Sequence, residues 1–210
     1  MSDVEGVIKY CLDHTQQAIN LNYSIAPLNA WRTVLFKLDL IGQDSDRYDG
    51  LGFGNISQRL DNISHQFVIT GSQTGMFDSI TRQQMALVLE ADIQQNYLRS
   101  IGFYQPSSES LTHASLYQLD MNINAVIHVH SPTIWRHTKI LQLPHISAEI
   151  PYGTVQMANE VARLYHSEFL SETSLFTMLG HEDGVVAFGE TLEVAALKVM
   201  RYLALSLQFE

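Results

Sequence analysis

The chain is short of cysteine, of positive charge and of long apolar runs, and each shortage narrows what it can be. Cys11 is the only cysteine among 210 residues, which excludes an intramolecular disulfide and fits a reducing compartment. Twelve Lys and Arg stand against 22 Asp and Glu, a formal net charge of −10. No basic run is present to track a phosphate backbone, so nucleic acid is not an expected partner. The same field weakly repels anions, so a phosphorylated ligand has to be held by local donors and not by long-range steering. No apolar stretch approaches the roughly 20 residues that a membrane span requires, and Met1-Ser2-Asp3-Val4-Glu5 lacks the basic start and apolar run of a secretory signal. A cytoplasmic protein with no membrane partner is the expectation.

What remains is ordinary globular material, 46% hydrophobic and 16% charged. Strand and helix patterns intermix along the whole length without repeat, low-complexity tract or linker, which predicts one α/β domain over residues 1–210. Val7, Ile8, Cys11 and Leu12, and again Trp31, Val34, Leu35 and Leu38 after Pro27, recur at helical spacing and predict two opening helices. Strands are predicted at Phe67–Thr70, Ala86–Glu90, Tyr97–Ile101, Ala125–His130, Leu175–Leu179 and Val185–Phe188, each β-branched or aromatic and bounded by turn residues. Helices are predicted over Glu109–Leu119 behind a serine cap, from Tyr152-Gly153-Thr154 through Tyr165, and from Thr191 onward with Leu192, Ala195, Ala196, Val199, Met200 and Leu203 on one stripe.

His128 and His130 lie two apart on a strand, so they point to one face about 6–7 Å from each other. Two histidines inside an apolar run are costly unless their ring nitrogens are satisfied, either by a metal or, in the plainer reading, by backbone carbonyls. His181 sits at a strand end in a Gly-flanked turn, where a third imidazole can meet the other two. Three nitrogen ligands with an open position suit catalytic zinc. Glu109 reads first as an acidic residue favoured by a helix N-terminus, and beside a metal as an acid/base. Ser107 and Ser108 read first as caps, yet free N–H groups and hydroxyls there also suit phosphate. His113, one turn after Glu109, reads as its i, i+4 partner, and His14, His65, His137, His145 and His166 as surface or packing residues. No His-Glu-x-x-His motif is present.

The order of Gly54-Asn55-Ile56-Ser57 with Arg59, Ile69-Thr70-Gly71-Ser72, Ser107-Ser108-Glu109, Ala125-Val126-Ile127-His128-Val129-His130-Ser131 and Gly180-His181 before Gly184-Val185-Val186-Ala187-Phe188-Gly189 resembles the class II aldolase/adducin family over nearly the whole chain. The resemblance implies a three-layer α/β/α fold with a central mixed, largely antiparallel sheet. It implies zinc, or another divalent metal, on His128, His130 and His181, with Glu109 as acid/base and possible fourth ligand. It places a substrate phosphate on Asn55, Ser72, Ser107 and Ser108, and suggests a homotetramer. The activity implied is reversible aldol cleavage of a small hydroxy-ketone, with sugar phosphates as the expected substrate class. Epimerisation, decarboxylation or dehydration on the same site, or a non-catalytic adducin-like interaction module, are the alternatives. The sequence departs from the family pattern at Thr70-Gly71-Ser72-Gln73-Thr74-Gly75, in the longer turn Gly180-His181-Glu182-Asp183-Gly184, which adds two carboxylates, and in lacking an in-step equivalent of a protonating tyrosine, Tyr152 being the nearest.

Overall fold

The computed structural model describes residues 6–61 and 63–210. In chain order the strands are β1 (Cys11–Gln16), β2 (Gly42–Gln43), β3 (Gly52–Phe53), β4 (Asn55–Arg59), β5 (Phe67–Thr70), β6 (Met85–Asp92), β7 (Tyr97–Gly102), β8 (Ala125–His130), β9 (His145–Ile146), β10 (Leu175–Met178) and β11 (Gly184–Gly189). The helices are α1 (Ala26–Lys37), α2 (Ser110–Leu119), α3 (Pro132–Arg136), α4 (Val155–Tyr165), α5 (Glu168–Thr173) and α6 (Leu192–Ser206).

Among the described residues, nine strands form one sheet in the order β1-β7-β6-β5-β4-β8-β11-β10-β9, and β2 pairs with β3 apart from it. Neighbours run antiparallel through the centre. Only at the rims do β1 and β7, and β9 and β10, run parallel. Helices cover both faces. Leu28 and Leu35 of α1 and Leu192, Ala195, Ala196 and Val199 of α6 pack on one side, while Leu111 and Ala114 of α2 and Met157 and Val161 of α4 pack on the other. The fold is the three-layer α/β/α arrangement with a mixed, largely antiparallel sheet.

Strand β8 shows why. All six of its side chains are buried, and their alternation sends Ala125, Ile127 and Val129 into one layer and Val126 into the other, as the two-residue period of a strand demands. Thr191 caps α6 through its hydroxyl, which accepts from Val194 N at 3.1 Å, and Thr154 caps α4 by accepting from Met157 N at 3.2 Å. No helix among the described residues is long and apolar enough to cross a membrane.

Two local expectations are corrected. The stretch around Cys11 and Leu12 is strand β1, not a helix: its burial alternates with a period of two, Leu12 and His14 being half-buried between exposed neighbours. Pairing with the otherwise bare edge of β7 outweighs a short helical spacing. Helix α2 begins at Ser110 with Glu109 itself at the N-cap and without a side-chain cap. The serines shape the turn instead, Ser107 Oγ accepting from Glu109 N at 3.3 Å and Ser110 Oγ donating to Ser107 O at 2.6 Å.

Candidate metal centre and adjoining cleft

His128 and His130 project from the end of β8 toward the α2/α4 layer. The strand register sets Asn55 of β4 opposite His128 and Gly184 of β11 opposite His130, so the neighbouring strands supply both a polar side chain and space. His181 comes from the turn between β10 and β11. That turn returns through Asp183, which holds a left-handed φ of 60°, and a Cβ on Gly184 would stand 2.6 Å from His181 Cδ2. Glycine at 184 is therefore a condition for placing the third ring.

All three imidazoles are buried. One nitrogen from each lies within 4.8 Å of the others, and among the described residues the cluster holds these three histidines alone. His130 Nε2 and His181 Nε2 are 3.1 Å apart. A tetrahedral zinc with bonds of about 2.05 Å spaces its nitrogens roughly 3.3 Å apart, so this pair is close to the required spacing, and the nitrogen from His128 lies within 4.8 Å of both. His128 turns Nδ1 to the carbonyl oxygen of Val185 at 3.3 Å, the kind of orienting contact that a ligating histidine makes. Its Nε2 is buried without a hydrogen-bond partner among the described residues, a cost that a metal would remove. Burial pushes His128 down to about 4. Burial, then the neighbouring imidazoles, hold His130 and His181 well below the usual histidine range. The rings are neutral at pH 7, the state that binds a metal.

Glu109 is 1% exposed and occupies the N-cap of α2, where the helix dipole favours a carboxylate. One turn on, His113 is fully buried and meets Ser57 Oγ through Nδ1 at 2.7 Å; that hydroxyl also lies 2.7 Å from Tyr117 Oη. Burial, then His128, hold His113 far below its ordinary pKa. His113 thus belongs to the layer behind the metal centre and its ring is turned to Ser57, contrary to the helix-surface pairing expected. The signal was present: Ser110 through Tyr117 carry no charge and are buried all round, the mark of an internal helix.

Around Asn55, the residue opposite His128, lies a small polar cleft whose lining includes Gly6, Gly54, Asn55, Ser72, Gln73, Ser107 and Ser108. Gly71 bridges Pro106 across the strand ends and Ser72 N donates to Gln105 O at 2.8 Å, which draws the second small-residue loop against the serine turn. Gly54 has φ +71°, and a Cβ there would stand 2.8 Å from Ile41 Cγ1 and 3.1 Å from the carbonyl oxygen of His128. The backbone approach that brings Asn55 next to the histidines needs glycine. Asn55 Oδ1 is buried with no hydrogen-bond partner among the described residues. Arg59 serves the scaffold, donating to the carbonyls of Tyr117, Asp120, Ile123 and Ser64.

Two tyrosines frame the centre. Tyr152 packs on His181 at 4.6 Å between ring centroids, and Tyr48 meets His130 edge-on at 4.5 Å. Tyr48 Oη donates to Asp183 Oδ2 at 2.6 Å and accepts from Arg47 Nη2 at 2.8 Å. Of the two carboxylates in the longer turn, Asp183 is therefore engaged by Tyr48, Glu182 is exposed, and neither joins the ligand cluster. No spacing in the sequence singled out Tyr48.

Residues 44–207 match the family described as Class II Aldolase and Adducin N-terminal domain. No curated protein sequence gives a significant match. Among solved structures, YgbL from Klebsiella pneumoniae, a candidate aldolase/epimerase/decarboxylase, is similar at a TM-score of 0.63 and 16% identity, over 87% of this chain and 86% of its own. An L-fuculose-1-phosphate aldolase from Thermus thermophilus is similar at 0.61 and 21% identity, over 88% and 90%. The N-terminal class II aldolase domain of a conserved protein from Thermoplasma acidophilum is similar at 0.62 and 15% identity, over 92% and 96%. Likeness at such identities speaks to fold, whereas the family match spans most of the sequence: the chain belongs to the class II aldolase and adducin family.

Proposed function

We propose that the protein is a metal-dependent lyase that reversibly cleaves a carbon–carbon bond of a small hydroxy-ketone, with sugar phosphates as the substrate class. The observation that carries this reading is the convergence of three buried, neutral imidazoles beside a small polar cleft. His128, His130 and His181 would hold zinc or another divalent ion. When bound, the ion acts as a Lewis acid toward a substrate carbonyl oxygen. Glu109, fixed at the start of α2 on the histidine face, moves the proton that the bond change requires. Asn55, Ser72, Ser107 and Ser108 hold the phosphate through amide, hydroxyl and helix-terminal N–H donors. In a chain of net charge −10 such local donors have to supply the attraction. We further take residues 1–210 as one domain of a cytoplasmic homotetramer, on family likeness and on the single cysteine.

Epimerisation, decarboxylation or dehydration on the same residues is the second reading, favoured by the mixed description of YgbL. A non-catalytic adducin-like module is disfavoured by the buried Nε2 of His128, which a scaffold has no use for. The test is metal analysis of purified protein followed by a screen of ketose phosphates for aldehyde release. About one ion per chain together with product supports the lyase. Metal without product from any ketose phosphate moves the assignment to the second reading, and a folded, metal-free protein overturns the metal reading.

A further inference from the structure

Helix α1 precedes the family match, which begins at residue 44, yet its polar side chains hold the loop that follows Ser72. Asn29 Oδ1 accepts from Ile80 N at 2.8 Å, and Thr33 Oγ1 donates to Asp78 O at 3.2 Å. Arg32, 1% exposed, reaches deeper. Its guanidinium donates through Nη2 to Thr74 O at 2.9 Å and through Nη1 to Phe77 O at 2.6 Å. Among the described residues no carboxylate forms an ion pair with it, and its Nε has no partner. A charge buried in this way costs stability that an apolar side chain in the same space would not. What the guanidinium adds is a planar fork that fixes two carbonyls at once.

Fixing Thr74 O also fixes the N–H that follows it. The peptide bonds of the described residues are trans, and a trans peptide holds its C=O and N–H on opposite sides. With Thr74 O turned to Arg32, the Gly75 N–H is turned away from it. Gly52 stands beside that N–H, since a Cβ on Gly52 would lie 3.2 Å from Gly75 N, and Gly52, Thr74 and Gly75 line the cleft with Asn55, Ser107 and Ser108. No backbone carbonyl among the described residues accepts from Gly75 N. Position 75 admits glycine alone, because a Cβ there would collide with Gly42 O. The cleft has about 20 Å³ of free space, room for one water or for one oxygen atom of a ligand. A polar seat of that size with a free N–H on its wall suits an oxygen that carries negative charge.

We propose that Arg32 is a positioning residue of the substrate site: by holding Thr74 O and Phe77 O it keeps the Gly75 N–H directed at one phosphate oxygen of the substrate. This rests on the phosphate reading given above. Arg32 itself touches no ligand, and its effect passes through the loop backbone.

The test titrates wild type, Arg32→Gln and Arg32→Lys calorimetrically with dihydroxyacetone and dihydroxyacetone phosphate, which differ only in the phosphate. Metal content and melting temperature are measured on the same samples, and each titration is run well below melting. Wild type is expected to prefer the phosphate ester. In Arg32→Gln that preference should fall by about tenfold or more, the loss of one charge-assisted contact, with dihydroxyacetone affinity and metal content unchanged. Arg32→Lys should fall nearly as far, because one ammonium does not span two carbonyls three residues apart. A lower melting temperature with the preference intact in both variants makes Arg32 a plain fold residue and overturns its role alone, as does Arg32→Lys that binds like wild type. Wild type without the preference overturns the phosphate reading, and this proposal with it. If neither variant folds, the Gly75 amide of wild type decides by NMR: a downfield shift of its proton on adding inorganic phosphate supports the proposal, and no shift overturns it.

Discussion

Strand β8 faces two different environments. On one side Ala125, Ile127 and Val129 enter an apolar layer with α1 and α6. On the other, Val126 gives way to His128 and His130, which meet His181, two tyrosine rings and, behind them, His113. One strand thus borders an apolar layer on one face and a cluster of buried polar rings on the other. The contrast is physical as well as spatial: apolar burial stabilises the fold in proportion to area, whereas a buried imidazole without a partner lowers stability until something binds it. Both layers have apolar cores, so at the end of β8 the histidine face can be arranged for chemistry while the residues around it hold the fold.

Substitutions on alternate residues separate the two roles. Ile127→Ala is expected to have the largest effect on the fold, about 3 to 4 kcal/mol, since it removes a fully buried side chain from the dry layer. Urea denaturation of metal-free protein measures it, and metal content of the folded fraction should not move. His128→Ala is expected to do the reverse. Metal affinity, read by competition with a chromophoric chelator, should fall by about two orders of magnitude or more, while metal-free stability changes by less than about 1 kcal/mol, because a lost packing contact is offset by removal of a poorly satisfied nitrogen. Equal destabilisation by both changes would erase the distinction between the faces.

Acid sharpens the same comparison. The folded state holds His128 near 4, chiefly through burial, against an ordinary 6.5, so between these values the unfolded chain takes up a proton that the native chain refuses. Stability of the metal-free protein therefore rises with pH through that window and levels off above about 7. From about pH 7 down to about 4.5 the loss from His128 alone is roughly 2 kcal/mol, and His113, His130 and His181, all lowered by burial, steepen it. Urea midpoints measured from mildly acidic to neutral pH read the slope. His128→Ala should flatten it and Ile127→Ala should only displace it; a profile without slope would mean that the rings carry protons in the native state.

What was legible in the sequence follows from the range of the interactions. The alternation in Ala125–His130 is local, so both faces of β8, and the shared direction of its two histidines, can be read from six residues. The cap and stripe of α6 are local too. Contacts between distant segments were hidden. His181 reaches the pair through the register of β11 against β8, which spacing alone only suggests. Lys9 reaches the Tyr152 ring because β1 pairs with β7 across more than eighty residues, and the four apolar residues there gave a helical spacing instead. Ser57 meets His113 over 56 residues, which is why a surface partner looked adequate for that ring. In each case the missing information is the identity of a neighbour, not the character of the residue.

Tyr48 is such a neighbour, and its removal is the finest test of how far the polar face depends on its surroundings. Tyr48, Asp49 and Asp183 all hold left-handed backbone, with φ of 49°, 57° and 60°, which costs energy in residues with a side chain. The Tyr48 hydroxyl ties the first to the last of these at 2.6 Å, and burial, then Asp183, keep it protonated and donating. Tyr48→Phe retains the ring against His130 and deletes only that tie. The expected cost is about 1 kcal/mol of stability, a fall of a few degrees in melting temperature. Because the turn carrying His181 loses an anchor, metal affinity should fall as well, by less than about tenfold. A loss as complete as that of His128→Ala would mean that the turn, and not the convergence of three rings from β8 and its neighbour, sets the affinity. An unchanged melting temperature and affinity would mean that the strain at Asp183 is supported by the backbone alone.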